Sequence, residues 1–171
     1  IRGGVEFYAG YPITPSTEIM EHMASRMPQE GRIFMQAESE IASTALLLGA
    51  SACGKYCLTA SSGPGVALMQ EGLSTISSWE LPVVLINVQR HGNGAGNIIN
   101  GQSDYHRDTR GGGQGDYRTL VFSPASIQEG VDLIYNSFEI AEKYRIVVVI
   151  HTEAALGQMS EAIKMPPFKP P

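Results

Sequence analysis

The chain has 171 residues, of which 43% are hydrophobic, a length that suits one sizeable core rather than two full domains. Its net charge of -5 and pI near 5.3 argue against an overall positive field that would attract nucleic acid. No apolar run reaches the roughly 18 to 20 residues that span a bilayer, and the first residues lack the layout of a signal peptide, so we expect a cytoplasmic protein without a membrane partner.

Short apolar runs typical of strands alternate with longer segments of helical periodicity. This alternation predicts an α/β fold, with a mostly parallel sheet that carries helices on both faces. The clearest strand is a continuous apolar run at 146–150, typical of a strand buried on both faces. The predicted strands are Val5–Tyr8, Arg32–Gln36, Tyr56–Ala60, Val83–Val88, Thr119–Phe122 and Ile146–Ile150, and the predicted helices span about 15–27, 38–53, 65–78 and 126–143.

The first predicted helix has residues that favour a helix start. Thr14 is expected to cap it and Pro15 to occupy its first helical position. Glu18 then falls in the first turn, where the helix dipole favours negative charge.

Two glutamates, Glu38 and Glu40, follow the second strand and open an apolar helix. One of them is expected at a buried helix start, where desolvation would raise its pKa and helix-dipole contacts would lower it. The alternative is plain capping of the helix by acidic side chains, and the local pattern leaves both readings open.

The segment Ser61–Gly65 joins the third strand to the next helix. Its glycines would let backbone amides approach an anion at the helix start. The segment is neither a complete phosphate-binding loop nor a dinucleotide fingerprint, and no lysine follows it. An anion site and a tight strand-to-helix turn therefore both stay open.

Arg90 follows the fourth strand and enters a long glycine-rich, polar stretch, Gln89–Arg118, with almost no periodicity. A loop of that length is usually functional or disordered. The arginine fork matches a carboxylate or phosphate, and a surface ion pair with a nearby acid is the alternative. In open sheets ligands bind beyond the carboxyl ends of the strands, which is where this stretch and the segments after the first three strands are expected to cluster.

The sequence gives no support for a metal site. Cys53 and Cys57 are too few to hold zinc or an iron–sulfur cluster unaided, so we expect reduced, mostly buried thiols. The four histidines show no metal-ligand spacing. The proline-rich residues 164–171 are predicted to be a linker to a further domain absent from the sequence, which leaves 1–163 as the folded domain.

Four motifs follow one another as YPITPSTE at 11–18, ESEIAS at 38–43, TASSGPG at 59–65 and GGGQGDYR at 111–118. Together they resemble the alpha subunit of 2-oxoacid:ferredoxin oxidoreductases, and the resemblance covers nearly the whole chain. The last motif, followed by Ser-Pro-Ala-Ser at 123–126, is most similar to the 2-oxoisovalerate and 2-oxoglutarate members. The resemblance implies the aminopyrimidine-binding domain fold of thiamine-diphosphate enzymes.

The resemblance also implies an enzyme whose active site is shared between two subunits, so that this chain is active only with its partner subunit. In this family the beta subunit holds magnesium, the cofactor's diphosphate and iron–sulfur clusters, and some members add a small ferredoxin-like subunit. The implied reaction is thiamine-dependent oxidative decarboxylation of a 2-oxoacid to acyl-coenzyme A, with electrons passed to ferredoxin.

Individual roles are carried over from the family residue by residue. Glu40 aligns with the glutamate that hydrogen-bonds pyrimidine nitrogen N1′. Arg90 aligns with the arginine that binds the substrate carboxylate, and Thr14 with the threonine whose hydroxyl reaches the substrate. The pyrimidine end of the cofactor is expected to contact Glu40 together with Pro12, Ile13, Ser61, Ser62 and Gly63.

The chain departs from the family pattern at two places. Residues 91–97 replace the usual Gly-Gly-Pro after the arginine, and Gln114 stands where the family has histidine, which leaves the substrate open. An N-terminal helix and a following alpha-subunit domain are expected to lie outside this sequence. The alternatives are a non-catalytic assembly or binding module of the same fold, and an unrelated anion- or nucleotide-binding domain built around 61–65.

Overall fold

Continuous apolar runs form the centre of one sheet. In the computed structural model, which describes residues 1–169, every residue of β3 (Cys57–Ser61) and β4 (Val83–Gln89) is buried, as are the first five residues of β6 (Val147–Glu153). Such runs are typical of parallel strands covered on both faces. The remaining strands are β1 (Phe7–Gly10), β2 (Ile33–Gln36) and β5 (Leu120–Phe122).

All six strands are parallel, in the order β2-β1-β3-β4-β6-β5. From β1 the chain moves outward to β2, then returns to place β3 on the other side of β1. The direction of winding therefore reverses between β1 and β3. Open α/β sheets bind ligands beyond the carboxyl ends of the strands at such a reversal.

Helices cover both faces of the sheet and enclose two apolar cores. Alternate residues of β4 enter the two cores, since Val84 and Ile86 face α1 and α6 whereas Val83 and Leu85 face α2, α3 and α4. The helices are α1 (Thr17–Arg26), α2 (Glu40–Ala52), α3 (Gly63–Leu68), α4 (Gln70–Ser78), α5 (Tyr105–Arg110), α6 (Ile127–Tyr144) and α7 (Ala154–Gln158).

The structure confirms the predicted α/β class and all six strands, with ends that differ by at most three residues. The helix predicted at 65–78 is two helices, α3 and α4, joined at Met69. Three short elements were not predicted, namely α5, α7 and a 3-10 turn at Pro28–Glu30.

The expected start of the first helix is wrong. Helix α1 begins at Thr17 with Ser16 as its N-cap residue, not at Pro15 after a Thr14 cap. The reason is a turn that precedes the helix, in which the Ser16 N–H and Oγ both donate to the Ile13 carbonyl oxygen, at 2.9 and 2.8 Å. Glu18 does lie in the first turn of α1.

The chain ends pack against each other. Arg2 donates to the Pro166 carbonyl oxygen at 2.9 Å and lies 4.4 Å above the centre of the Phe168 ring. Residues 170 and 171 of the predicted linker lie outside the described residues, and the domain limit at 163 stays a prediction. Between residues 1 and 169, no helix is long and apolar enough to cross a membrane.

Helices α2 and α4 approach so closely that one position must be glycine. A Cβ atom added at Gly72 would overlap the Cβ and Oγ1 atoms of Thr44, whereas one added at Gly49, on the exposed side of α2, would meet nothing within 4 Å. We expect Gly72→Ala to lower the free energy of unfolding by about 1–3 kcal/mol because it overpacks the interface. Gly49→Ala, the control, should raise it by up to about 1 kcal/mol.

Urea unfolding, monitored by circular dichroism, measures the free energy of unfolding of both variants. Equal stabilities for the two would contradict the close contact between α2 and α4.

Candidate active site at the carboxyl edge of the sheet

Glu40 is the first residue of α2 and is only 5% exposed. The helix is capped by Ser39, whose Oγ accepts from the Ala42 N–H at 3.1 Å, so neither Glu38 nor Glu40 is needed as the cap. Glu38 is exposed. Among residues 1–169, no donor forms a hydrogen bond with the Glu40 carboxylate, which leaves it able to accept one from a bound molecule.

Two buried hydroxyls lie at and directly after the end of β3, and that of Ser61 is beside this carboxylate. The Oγ atoms of Ser61 and Ser62 are buried and have no hydrogen-bond partner within 1–169. Gly65 brings the groups together, since a Cβ there would come within 2.5 Å of Glu40 Oε1 and would also collide with Ser61 Oγ. Buried polar groups normally have partners, so this cluster is suited to a ligand that supplies them.

The turn at 61–65 is tight, as one of the two sequence readings expected. Gly63 has a φ of +35°, a region that side-chain-bearing residues rarely adopt, and it begins α3. Helix α3 has only six residues, so it offers no extended dipole for an anion.

Arg90 and Thr14, 76 residues apart in sequence, are in contact. Arg90 Nη1 donates to the Thr14 carbonyl oxygen at 2.9 Å, and Nη2 donates to the carbonyl oxygen of Ala95. Its buried Nε has no partner within the described residues, and no acid pairs with it there, so the expected alternative of a surface ion pair is wrong. The Thr14 residue is exposed, and the preceding Pro12 and Ile13 are half-buried.

The loop after Arg90 is held at few points. The His91 N–H donates to the Ile99 carbonyl oxygen at 3.0 Å, and Arg90 holds Ala95. Ile98 is 65% exposed and Ile99 59% exposed, so this loop presents apolar side chains outward.

A row of polar side chains crosses the sheet, and the sequence analysis missed two of its three members. Ser61, Asn87 and His151 are register partners on β3, β4 and β6, and all three are buried. Register partners in a parallel sheet point to the same face. Asp108 of α5 covers the row, with its Oδ2 atom 2.7 Å from both Asn87 Nδ2 and His151 Nδ1.

Further contacts fix α5 within the long polar stretch. The Asp104 N–H donates to Gln89 Oε1 at 3.1 Å, and Asn87 Nδ2 donates to Asp104 Oδ2 at 3.2 Å. Arg107 pairs with both carboxylates, Nη2 lying 2.7 Å from Asp104 and Nε 3.4 Å from Asp108. Polar residues inside an otherwise apolar strand, Asn87 and Gln89, were the available sequence signal.

The GGGQGDYR motif is held by α4. The Tyr117 hydroxyl donates to Gln70 Oε1 at 3.0 Å and accepts from the N–H groups of Gly112 and Gly113. Gln114, the position where the family has histidine, is exposed and is held through its carbonyl oxygen, which accepts from Ser74 Oγ.

The donor set of the site suits hydrogen bonding rather than metal binding. Within residues 1–169, no group of three or more His, Cys, Asp or Glu residues is placed to hold a metal ion. Both cysteines are free thiols, but Cys53 is exposed, so only Cys57 fits the expectation of burial.

Known proteins resemble this chain in both fold and sequence. A solved 2-oxoglutarate:ferredoxin oxidoreductase from Magnetococcus marinus, with 2-oxoglutarate, coenzyme A and succinyl-CoA bound, is 39% identical and superposes with a TM-score of 0.87 over 90% of this chain and 27% of that one. The ketoisovalerate oxidoreductase subunit VorB of Methanothermobacter thermautotrophicus is 48% identical, with 95% of this chain and 46% of that subunit covered. The 2-oxoglutarate synthase subunit KorA of Archaeoglobus fulgidus is 40% identical, with 98% and 49% covered.

The domain is thus of the kind found in 2-oxoacid oxidoreductases, and it spans about half the length of the curated relatives it matches. Residues 1–169 match the family described as pyruvate flavodoxin/ferredoxin oxidoreductase, thiamine diphosphate-binding, and the chain belongs to that family.

The two thiols differ in reactivity. Burial, with a smaller contribution from the negative charge of Glu6, raises the pKa of the Cys57 thiol to about 12, and the residue is 1% exposed. Iodoacetamide attacks the thiolate, so at pH 8 we expect the folded protein to gain one adduct, at exposed Cys53. Intact-mass measurement checks this.

Unfolding in urea should give two adducts, and Cys53→Ser should give none in the folded state. Rapid labelling of Cys57 in the folded protein would contradict the burial of β3.

Proposed function

We propose that this chain is the aminopyrimidine-binding domain of a 2-oxoacid:ferredoxin oxidoreductase alpha subunit. It would contribute to the thiamine-dependent oxidative decarboxylation of a 2-oxoacid to acyl-coenzyme A, with electrons passed to ferredoxin. The observation that carries the proposal is the buried Glu40 carboxylate, which has no donor within the described residues and lies beside the unpartnered buried hydroxyl of Ser61.

These residues fit the pyrimidine end of thiamine diphosphate. A planar ring with nitrogen donors and acceptors can satisfy the Glu40 carboxylate and the hydroxyls of Ser61 and Ser62, which would otherwise stay buried without partners. Gly65 keeps the space beside the carboxylate open, because a Cβ there would collide with Glu40. When bound, the cofactor supplies an electron sink for cleavage of the bond beside the substrate's keto carbon.

Glu40 is proposed to hold a proton on ring nitrogen N1′. A carboxylate that accepts a hydrogen bond at a buried site stabilises the protonated ring more strongly than it would in water. Its position at the start of α2, fixed by the Ser39 cap, would hold the carboxylate in place for this contact.

Arg90 and Thr14 are proposed to bind the substrate. Arg90 uses two of its donors on carbonyl oxygens, and the remaining donors can hold a carboxylate. Arg90 also holds the Thr14 backbone, and we propose that the threonine hydroxyl reaches the substrate from this position. Pro12 and Ile13 precede this contact and would line the cofactor pocket.

The loop that follows Arg90 carries two exposed apolar side chains, Ile98 and Ile99, and we propose that they contact a branched apolar side chain of the substrate. The sequence identity points the same way, since the ketoisovalerate relative is 48% identical and the 2-oxoglutarate relatives are 30% to 41% identical. We therefore propose 2-oxoisovalerate as the preferred 2-oxoacid.

Partner subunits would complete the enzyme. The relatives are subunits of oxidoreductases, and the described residues offer no metal-binding group. Magnesium, the cofactor's diphosphate and iron–sulfur clusters are proposed to lie on a beta subunit, with a ferredoxin-like subunit as a further component and ferredoxin as the electron acceptor. The assembly is proposed to work in the cytoplasm.

Glu40→Gln tests the proposal, with Glu38→Gln as a matched control two residues away. The full-length alpha subunit is co-produced with its beta partner, and coenzyme A-dependent viologen reduction is measured with pyruvate, 2-oxoglutarate and 2-oxoisovalerate. We expect Glu40→Gln to lower kcat by about 100-fold or more, because the amide cannot stabilise the protonated ring as a carboxylate does. Glu38→Gln, exposed and away from the site, should stay near wild type.

Full activity of an assembled Glu40→Gln enzyme would overturn the role of Glu40 and leave the reaction standing. A wild-type complex loaded with cofactor and clusters that reduces nothing with any 2-oxoacid would favour the non-catalytic module. A preference for 2-oxoglutarate would overturn the proposed substrate alone.

A further inference from the structure

Helix α5 is held over the sheet by a buried polar network. Asp108 is 5% exposed, and it joins two strands because its Oδ2 atom contacts Asn87 of β4 and His151 of β6, both at 2.7 Å. Burying charged groups is costly unless each one is paired and hydrogen-bonded. Here Arg107 supplies the cation that two neighbouring carboxylates, Asp104 and Asp108, require.

The polar network stabilises α5, which would not be stable as an isolated helix. A helix of six residues is too short to be stable on its own, so α5 depends on contacts with the rest of the protein. Its outer side chains contribute little packing, since Tyr105 is 56% exposed and Arg110 is exposed. The polar network therefore sets the position of α5.

Arg107 links α5 to the candidate cofactor site. Its Nη1 donates to the carbonyl oxygen of Gly63 at 2.9 Å, across 44 residues of sequence. Gly63 directly follows Ser61 and Ser62, whose buried hydroxyls have no partner within 1–169. One guanidinium group thus links the turn that ends β3 to the two carboxylates of α5.

We propose that Arg107 is a positioning residue for thiamine diphosphate, an inference that rests on the proposed function. It touches neither cofactor nor substrate. It holds the Gly63 carbonyl oxygen, and through it the orientation of the Ser61 and Ser62 hydroxyls, while Asp104 and Asp108 hold its guanidinium group from the other side.

Loss of the Arg107 guanidinium group would affect both the turn at 61–63 and helix α5. The Gly63 carbonyl oxygen would lose its donor, and two buried carboxylates would be left without their cation. The turn at 61–63 and helix α5 would then be free to move apart, and the hydroxyls would no longer be preorganised for a ligand.

The test uses the complex of full-length alpha subunit and its partner, carrying Arg107→Met, which keeps the length of the side chain and removes its donors. Calorimetric titration of the cofactor-free complex gives the Kd of thiamine diphosphate, and viologen reduction gives kcat. We expect the Kd to rise about tenfold or more, as is common when a charged hydrogen bond is lost, and kcat to fall. Arg110→Met, on the same helix but exposed, is the control and should match wild type.

A lower melting temperature with wild-type Kd and kcat in Arg107→Met would overturn the inference, because a purely structural role predicts that result. If Arg107→Met fails to assemble, Arg107→Lys decides, since it keeps the charge and loses the fork. We expect the Kd of Arg107→Lys for thiamine diphosphate to be higher than that of wild type, and a wild-type Kd would overturn the inference.

The two proposals fail in different ways. A wild-type complex that binds thiamine diphosphate and reduces nothing with any 2-oxoacid overturns the proposed function, while the Kd comparison still decides the role of Arg107. A wild-type complex that does not bind thiamine diphosphate overturns both.

Discussion

The parallel sheet is covered by helices on both faces, so its polar residues can meet a ligand only where the strands end. The residue pattern of the central strands fits this constraint. They are apolar through most of their length and become polar toward their carboxyl ends, at Ser61, Asn87 and His151. The reversal of winding between β1 and β3 then places the segments after β1, β2 and β3 around one point of that edge.

The chain contributes one kind of chemistry to this edge. It offers a buried carboxylate, hydroxyls and a guanidinium group, which bind organic groups by hydrogen bonds, and the described residues hold no metal-binding cluster. Such a surface can hold a heterocycle and an acid by hydrogen bonds, which is the part that the proposed function gives to this chain.

Much of the fold could be predicted because its signals are local. Six apolar runs gave six strands, and a capped apolar helix after β2 put Glu40 at a buried helix start. The start of α1 was misplaced because Ser16 makes a turn back to Ile13 that propensity does not reveal.

Contacts distant in sequence could not be predicted. The helical conformation of α5 depends on Asn87 and His151, which are 21 and 43 residues from Asp108, and the Arg90 contact with Thr14 spans 76 residues. Sequence patterns placed Arg90 and Thr14 at the same edge of the sheet, but only the folded chain shows that they touch.

The uneven anchoring of the stretch after β4 has a consequence for how such domains diversify. The loop at 91–101 is attached to the rest of the domain mainly through Arg90, because its backbone hydrogen bonds lie within the loop, whereas α5 is fastened to two strands and to the turn after β3. Mutations can accumulate in the loop without loosening the helix or the turn. The unusual sequence at 91–97 lies in this permissive part, so the loop proposed to face the substrate can change its residues while the helix and the turn behind it keep their positions.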